Sequence, residues 1–130
     1  MHMTAVICTA ILGLLLFGLG FAVSMTRNQR KIGDGFPPDA SDFLHKVVRA
    51  HGNTAEFAPF LALLILYLGS NSPPGWVLWL MILATASRVV IVAGLLMSKS
   101  LRHGHPLRFI GASGTYVTGI GLCIALLRGL

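Results

Sequence analysis

Acidic side chains are scarce in this chain: four Asp and Glu stand against ten Lys and Arg. Charged residues of both signs make up 11% of the 130 residues, where a soluble domain carries roughly a quarter. That shortage excludes a water-facing shell around one core. Cysteine is scarce too. With only Cys8 and Cys123, no four-cysteine zinc site can be built. Both lie inside apolar stretches and read as packing residues. No internal repeat and no low-complexity tail is visible.

What stands in place of charge is hydrophobic length. Hydrophobic residues make up 55% of the chain, gathered into blocks, and about 20 such residues in a row span a bilayer. Four blocks can be read, at about 3–25, 43–68, 76–97 and 107–127. Pro37-Pro38 and Pro73-Pro74 interrupt the first two connections, where proline stops a helix from running through. The expectation is one all-α domain over 1–130, a polytopic membrane protein of four transmembrane helices. Ala22-Val23-Ser24 resembles a signal cleavage site. Yet no Lys or Arg precedes the first block, and the block exceeds the ~7–15 residues of a signal core. It is expected to stay.

Charge then gives orientation. The first connection holds Arg27, Arg30 and Lys31; the third holds Lys99 and Arg102, with Arg108 at its end. The second connection has no charged residue. The positive-inside rule makes loops one and three cytoplasmic and puts both termini on the other side. The net charge of +6 therefore calls for no nucleic-acid partner.

The first half of the second block holds R-A-H-G-N-T-A-E, Arg49 to Glu56. At 100° per residue, Arg49, Asn53 and Glu56 fall within an arc of about 60°, and His45 joins it one turn earlier. His51 points nearly the opposite way. Ionisable groups at membrane depth must be paired or line a wet cavity. Two readings follow: a structural ladder in which Glu56 neutralises an arginine, or a site for a small charged ligand. Arg88, in the middle of the third block, favours the second. With Arg27 and Arg49 it makes three arginines for a single Glu56, and an anionic ligand would balance them.

These residues resemble a known family. R-A-H-x-N-x-x-E followed by Pro59, the R-x-x-R-K-I-G-D-G loop from Arg27 to Gly35, Arg88, and Pro106-Leu107-Arg108 are similar to the membrane-associated proteins in eicosanoid and glutathione metabolism, in their bacterial form. The resemblance covers most of the chain. It implies a left-handed four-helix bundle assembled as a homotrimer, with glutathione as co-substrate at subunit interfaces near the cytoplasmic side and a lipophilic second substrate. It also implies transferase, peroxidase or isomerase activity. By this likeness Arg49, Asn53, Glu56 and Arg88 match glutathione-binding positions, Arg27 contributes to the pocket, and His51 matches a motif position although it points off the arc.

Glutathione fits the residue types, because guanidinium groups take carboxylates bidentately and Glu56 can take the ammonium or hold an arginine. Arg108 is the expected thiolate stabiliser. Pro106 suits the first turn of helix four, which sets Arg108 beside unpaired backbone N–H groups. Arg102 is the alternative, from a more solvated position, and a plain interfacial anchor is the bland reading of Arg108. Where the family's enzymes often have aromatic or histidine side chains, this chain has Ile91 and Leu95, which argues against prostaglandin or leukotriene chemistry. The leading expectation is a glutathione transferase or peroxidase. The alternatives are a non-catalytic lipid-binding or scaffold protein on the same fold, and a small transporter subunit.

Other signals read as structure. His103-Gly104-His105 has no carboxylate beside it and reads as loop, so no metal is expected. Trp76, Trp79 and Tyr67 fit an interfacial belt. Gly111, Thr115 and Gly119 form a small-residue stripe for close helix packing.

Overall fold

A computed structural model describes residues 1–129 of the chain. It contains four helices, α1 (Met3–Arg30), α2 (Phe43–Ser70), α3 (Gly75–Met97) and α4 (Pro106–Leu127). All four are long and apolar enough to cross a membrane, and no strand occurs among the described residues.

Helix α1 runs past the apolar block, to Arg30. Its 28 residues reach about 42 Å at 1.5 Å each, more than the ~30 Å of a hydrocarbon core. The last turn therefore stands out of the apolar layer. It is held by a Schellman closure: Lys31 sits in the left-handed region at φ 55°, its N–H donates to the Asn28 carbonyl, and the Ile32 N–H donates to that of Arg27. Arg27 and Arg30 lie in this last turn, where cations suit the helix dipole. Helix α2 continues through Pro59, which a membrane helix tolerates when its neighbours support the freed carbonyl.

Helix α3 packs most extensively on α4 and α1 on α2, while α2 and α4 meet only lightly. The α3 and α4 backbones come close at Gly111, where a Cβ would lie 2.5 Å from the Ile91 backbone nitrogen. Two apolar clusters result. One, around Leu12, Ile65, Leu68, Met81 and Leu122, fills the half of the bundle near loop two. The other, around Leu19, Leu44, Val47, Val92 and Leu95, fills the half near loops one and three. Outward-facing Leu14, Phe17 and Phe109 are 74%, 77% and 76% exposed, an apolar exterior suited to lipid. Trp76, Trp79 and Tyr67 are also exposed. Inside, Thr54, Thr85, Thr115 and Thr118 return their hydroxyls to carbonyls one turn back, which satisfies them without water.

Candidate functional site

The basic end of the bundle is tied before any site is formed. Asp42 caps α2, accepting from Leu44 N–H at 2.7 Å and His45 N–H at 3.3 Å. It also takes both bonds of the Arg30 guanidinium, at 2.9 and 2.7 Å. The Arg30 bond, first among the causes, holds the Asp42 carboxyl below its ordinary range. Asp39 is lowered as well, chiefly by the backbone N–H of Ser41 and then by its hydroxyl. Arg27 donates to the Gly35 carbonyl at 3.2 and 3.0 Å. His45 bonds the Pro37 carbonyl at 2.9 Å and packs its ring at a tilt against Phe36. The Leu101 N–H donates to Ala40 O at 3.0 Å, so loop three is fastened to loop one.

Inside this end lies a cleft of about 340 Å³, lined by Arg49 and Asn53 from α2, Ile91 and Leu95 from α3, and Arg108, Phe109 and Ala112 from α4, with Gly104 and His105 of loop three. Gly94 lets Arg108 sit where it does: a Cβ on Gly94 would fall 2.7 Å from the Arg108 nitrogen and 3.0 Å from its Cγ. The Arg108 Nη1 donates to the carbonyls of Leu101 and His103 at 3.2 and 3.0 Å. Its Nη2 and Nε have no protein partner among the described residues. The cleft therefore offers two guanidinium groups and an amide against apolar walls, a donor set suited to a small carboxylate-bearing anion.

One expectation about the helix end is corrected. Pro106 does take the first helical position, but His105 caps the turn. Its Nδ1 accepts from Leu107 N–H at 3.3 Å, and its carbonyl accepts from the Arg108 and Phe109 N–H groups. These donors are used, so the helix can act on a bound anion only through its dipole.

The expected residues do not all converge. Arg49, Asn53 and Arg108 meet in the cleft. Arg88 lies behind it, 1% exposed, donating through Nη2 to the Asn53 backbone carbonyl at 2.9 Å and to Asn53 Oδ1 at 2.7 Å. Glu56 is exposed and lines a different groove, a mostly apolar one of about 450 Å³ between α2 and α4. It makes no ion pair: Arg30–Asp42 is the one such pair among the described residues. Glu56 thus acts on Arg88 at Coulombic range without a direct ion pair, and the Asn53 amide makes the short contact. Arg27 and His51 line a groove on the α1–α2 side, away from the cleft, as the helical angle of His51 implied. Arg102 is exposed in loop three and outside the cleft. His45 serves loop one and does not extend the Arg49 stripe.

Sequence reasoning missed three contributors. Thr115, read only as packing, places its hydroxyl 3.5 Å from Arg88 Nη1. The Phe57 ring lies 5.0 Å from the Arg88 guanidinium carbon. His105, read as solvated loop, caps α4 and borders the cleft. Phe57 and Thr115 had a signal: both lie about one turn from residues already singled out, but periodicity within one helix does not say which face meets Arg88.

No curated protein and no solved structure matches the chain. The sequence profile of the MAPEG family does match, over residues 5–128. That span takes in α1 from its third residue, the other three helices whole, the basic loops and every residue of the cleft. By sequence pattern and by architecture, this four-helix membrane protein belongs to the MAPEG family.

Proposed function

We propose that the protein is an integral membrane glutathione transferase or peroxidase acting on lipophilic electrophiles, with its cleft holding glutathione. The observation that carries this reading is the meeting of Arg49, Asn53 and Arg108 around one cleft. Two cationic forks and an amide donor suit the two carboxylates of the tripeptide. Arg108 is the residue for the thiolate, because its free Nη2 and Nε border the cleft and the positive end of α4 lies beside it. A thiol with pKa near 8.5 is mostly protonated at neutral pH. Lowering that value by about two units takes ~2.7 kcal/mol of preferential stabilisation, within reach of a fixed cation in an apolar-walled cleft. Arg102, solvent-exposed, is screened from such a role.

Arg27 and His51 enter this reading through assembly. They face the α1–α2 side, opposite the cleft, so a homotrimer that lays this face of one copy against the cleft of the next would bring them to the ligand. Glu56, exposed in the α2–α4 groove, would then meet the ammonium group or a neighbour's arginine. Loops one and three face the cytoplasm in this scheme, the inner-membrane arrangement for a bacterial protein, because they hold the basic residues.

Titration of the purified protein with glutathione, followed by calorimetry and by the ultraviolet thiolate band, tests the proposal. Saturable binding with a band at neutral pH is expected. No binding would end the reading. The non-catalytic, lipid-binding alternative draws on one observation, the apolar Ile91 and Leu95 in the cleft wall; lipid binding with no thiolate band and no turnover would favour it. A transporter would call for interrupted helices, whereas each of the four runs unbroken.

A further inference from the structure

Arg88 is among the largest fully buried side chains, at 1% exposure, and it does not line the cleft. A buried guanidinium that feels Glu56 only at Coulombic range, with no direct ion pair, needs further compensation. Its two short bonds go to one residue, the backbone carbonyl and Oδ1 of Asn53 at 2.9 and 2.7 Å. Thr115 adds a long contact at 3.5 Å and Phe57 a ring face, while Nε has no partner.

This arrangement decides what Asn53 can offer. A carboxamide is ambidextrous, with an oxygen that accepts and a nitrogen that donates. A guanidinium has donors only, so it fixes which end of the amide faces it: the oxygen. The nitrogen is left at the other end, with no protein partner among the described residues, on a residue that lines the cleft. A positive charge on Oδ1 also strengthens the N–H donors through polarisation. We propose that Arg88 is a positioning residue which, by holding the Asn53 oxygen, makes Asn53 a donor-only contact, so that the cleft selects a ligand carboxylate over a carboxamide at that point. This rests on the reading of the cleft as a glutathione site, and it assigns Arg88 a place behind the ligand in place of a direct contact.

The test uses the full chain in detergent, with glutathione and its two mono-carboxamides as probes in calorimetric titrations. The wild type should prefer glutathione over one of the carboxamides by about tenfold or more, the discrimination expected when a donor faces a donor. Arg88→Met should weaken glutathione binding and erase that preference. The double variant Arg88→Met/Asn53→Ala should bind no more weakly than Asn53→Ala alone. Losses that add up in the double variant, or a preference that survives Arg88→Met, would overturn the proposal. Should Arg88→Met fail to fold, Asn53→Asp decides: it keeps an oxygen for Arg88 but removes the donor, and should fold yet bind glutathione at least about tenfold more weakly. Binding equal to wild type would refute it. If the wild type binds no glutathione, the functional reading fails, and the positioning claim is read without ligand. The chain has three asparagines, Asn28, Asn53 and Asn71, so selective nitrogen-15 labelling resolves their side-chain amides. Arg88→Met, or Arg88→Lys if that folds better, should move the Asn53 signal and leave the other two in place. An unmoved Asn53 signal contradicts the proposal.

Discussion

Around Leu12, Ile65, Leu68, Met81 and Leu122, side chains at most 1% exposed interlock with no polar group among them. A few turns away, around Arg88, the same helices are joined by hydrogen bonds to an asparagine and a threonine and stand apart enough to leave a cleft. In a bilayer, lipid is as apolar as leucine, so the first half is held by close packing and not by exclusion of water. The second half gives up packing for directed donors. The difference teaches where function can be placed: the well-packed half fixes the helices so that the polar half can remain open.

Substitutions should separate the two halves, beginning with the largest effect. Leu12→Ala removes a fully buried side chain from the packed half and should cost roughly 2–5 kcal/mol, toward the lower end in lipid. Thermal unfolding in detergent would show the loss, with glutathione affinity per folded molecule unchanged. A parallel drop in that affinity would mean that the halves are not separable.

Gly111→Ala attacks the α3–α4 seam within the open half. Its Cβ would lie 2.5 Å from the Ile91 nitrogen and 2.7 Å from its Cα, both backbone atoms, so α3 and α4 must move apart. Overpacking of this kind costs about 1–3 kcal/mol, and it should loosen the cleft as well. Gly13→Ala, with nothing within 4 Å of the added carbon, is the control and should unfold at or slightly above the wild-type temperature.

Arg49→Ala and Glu56→Ala act on the open half. Both residues are exposed in the chain and neither makes an ion pair among the described residues, so the stability of the single chain should change by no more than about 0.5 kcal/mol. Arg49→Ala should weaken glutathione by about 10- to 100-fold, the worth of a charge-assisted contact. A large loss of fold in Glu56→Ala would mean that Glu56 compensates the buried Arg88 more strongly than its distance suggests.

The smallest effect is in loop one. The carboxyls of Asp39 and Asp42 titrate below the ordinary aspartate range, so each contributes stability that is present above about pH 3.9 and fades as pH falls through the folded-state value. Acidification into that range should free the Arg30–Asp42 tie and expose loop one to proteolysis before the helices unfold. Asp42→Asn should show the same sensitivity at neutral pH. Helix loss preceding loop cleavage would contradict this order.

Much of the fold was legible because apolar length is a strong signal. Helices α2, α3 and α4 begin and end within two residues of the apolar blocks. Helix α1 was misjudged at its end because T-R-N-Q-R carries no apolar period, while dipole and Schellman closure still favour helix there. The Arg49–Asn53–Glu56 stripe was legible from angle alone. What the angle did not give is which neighbour each residue meets. Arg88 meets Asn53 of α2 and Thr115 of α4 at once, a property of three helices together. Hence Glu56 borders the α2–α4 groove and reaches Arg88 only at Coulombic range, while the Asn53 amide makes the direct contact.

The central claim is that Arg108, and not Arg102, holds a glutathione thiolate in the cleft. The most direct measurement follows the ultraviolet thiolate band of bound glutathione against pH in wild type, Arg108→Ala and Arg102→Ala. The account predicts a wild-type midpoint below the ~8.5 of a free thiol, an upward shift with lower turnover in Arg108→Ala, and little change in Arg102→Ala. A band lost in Arg102→Ala and intact in Arg108→Ala, or indifferent to both, would contradict it.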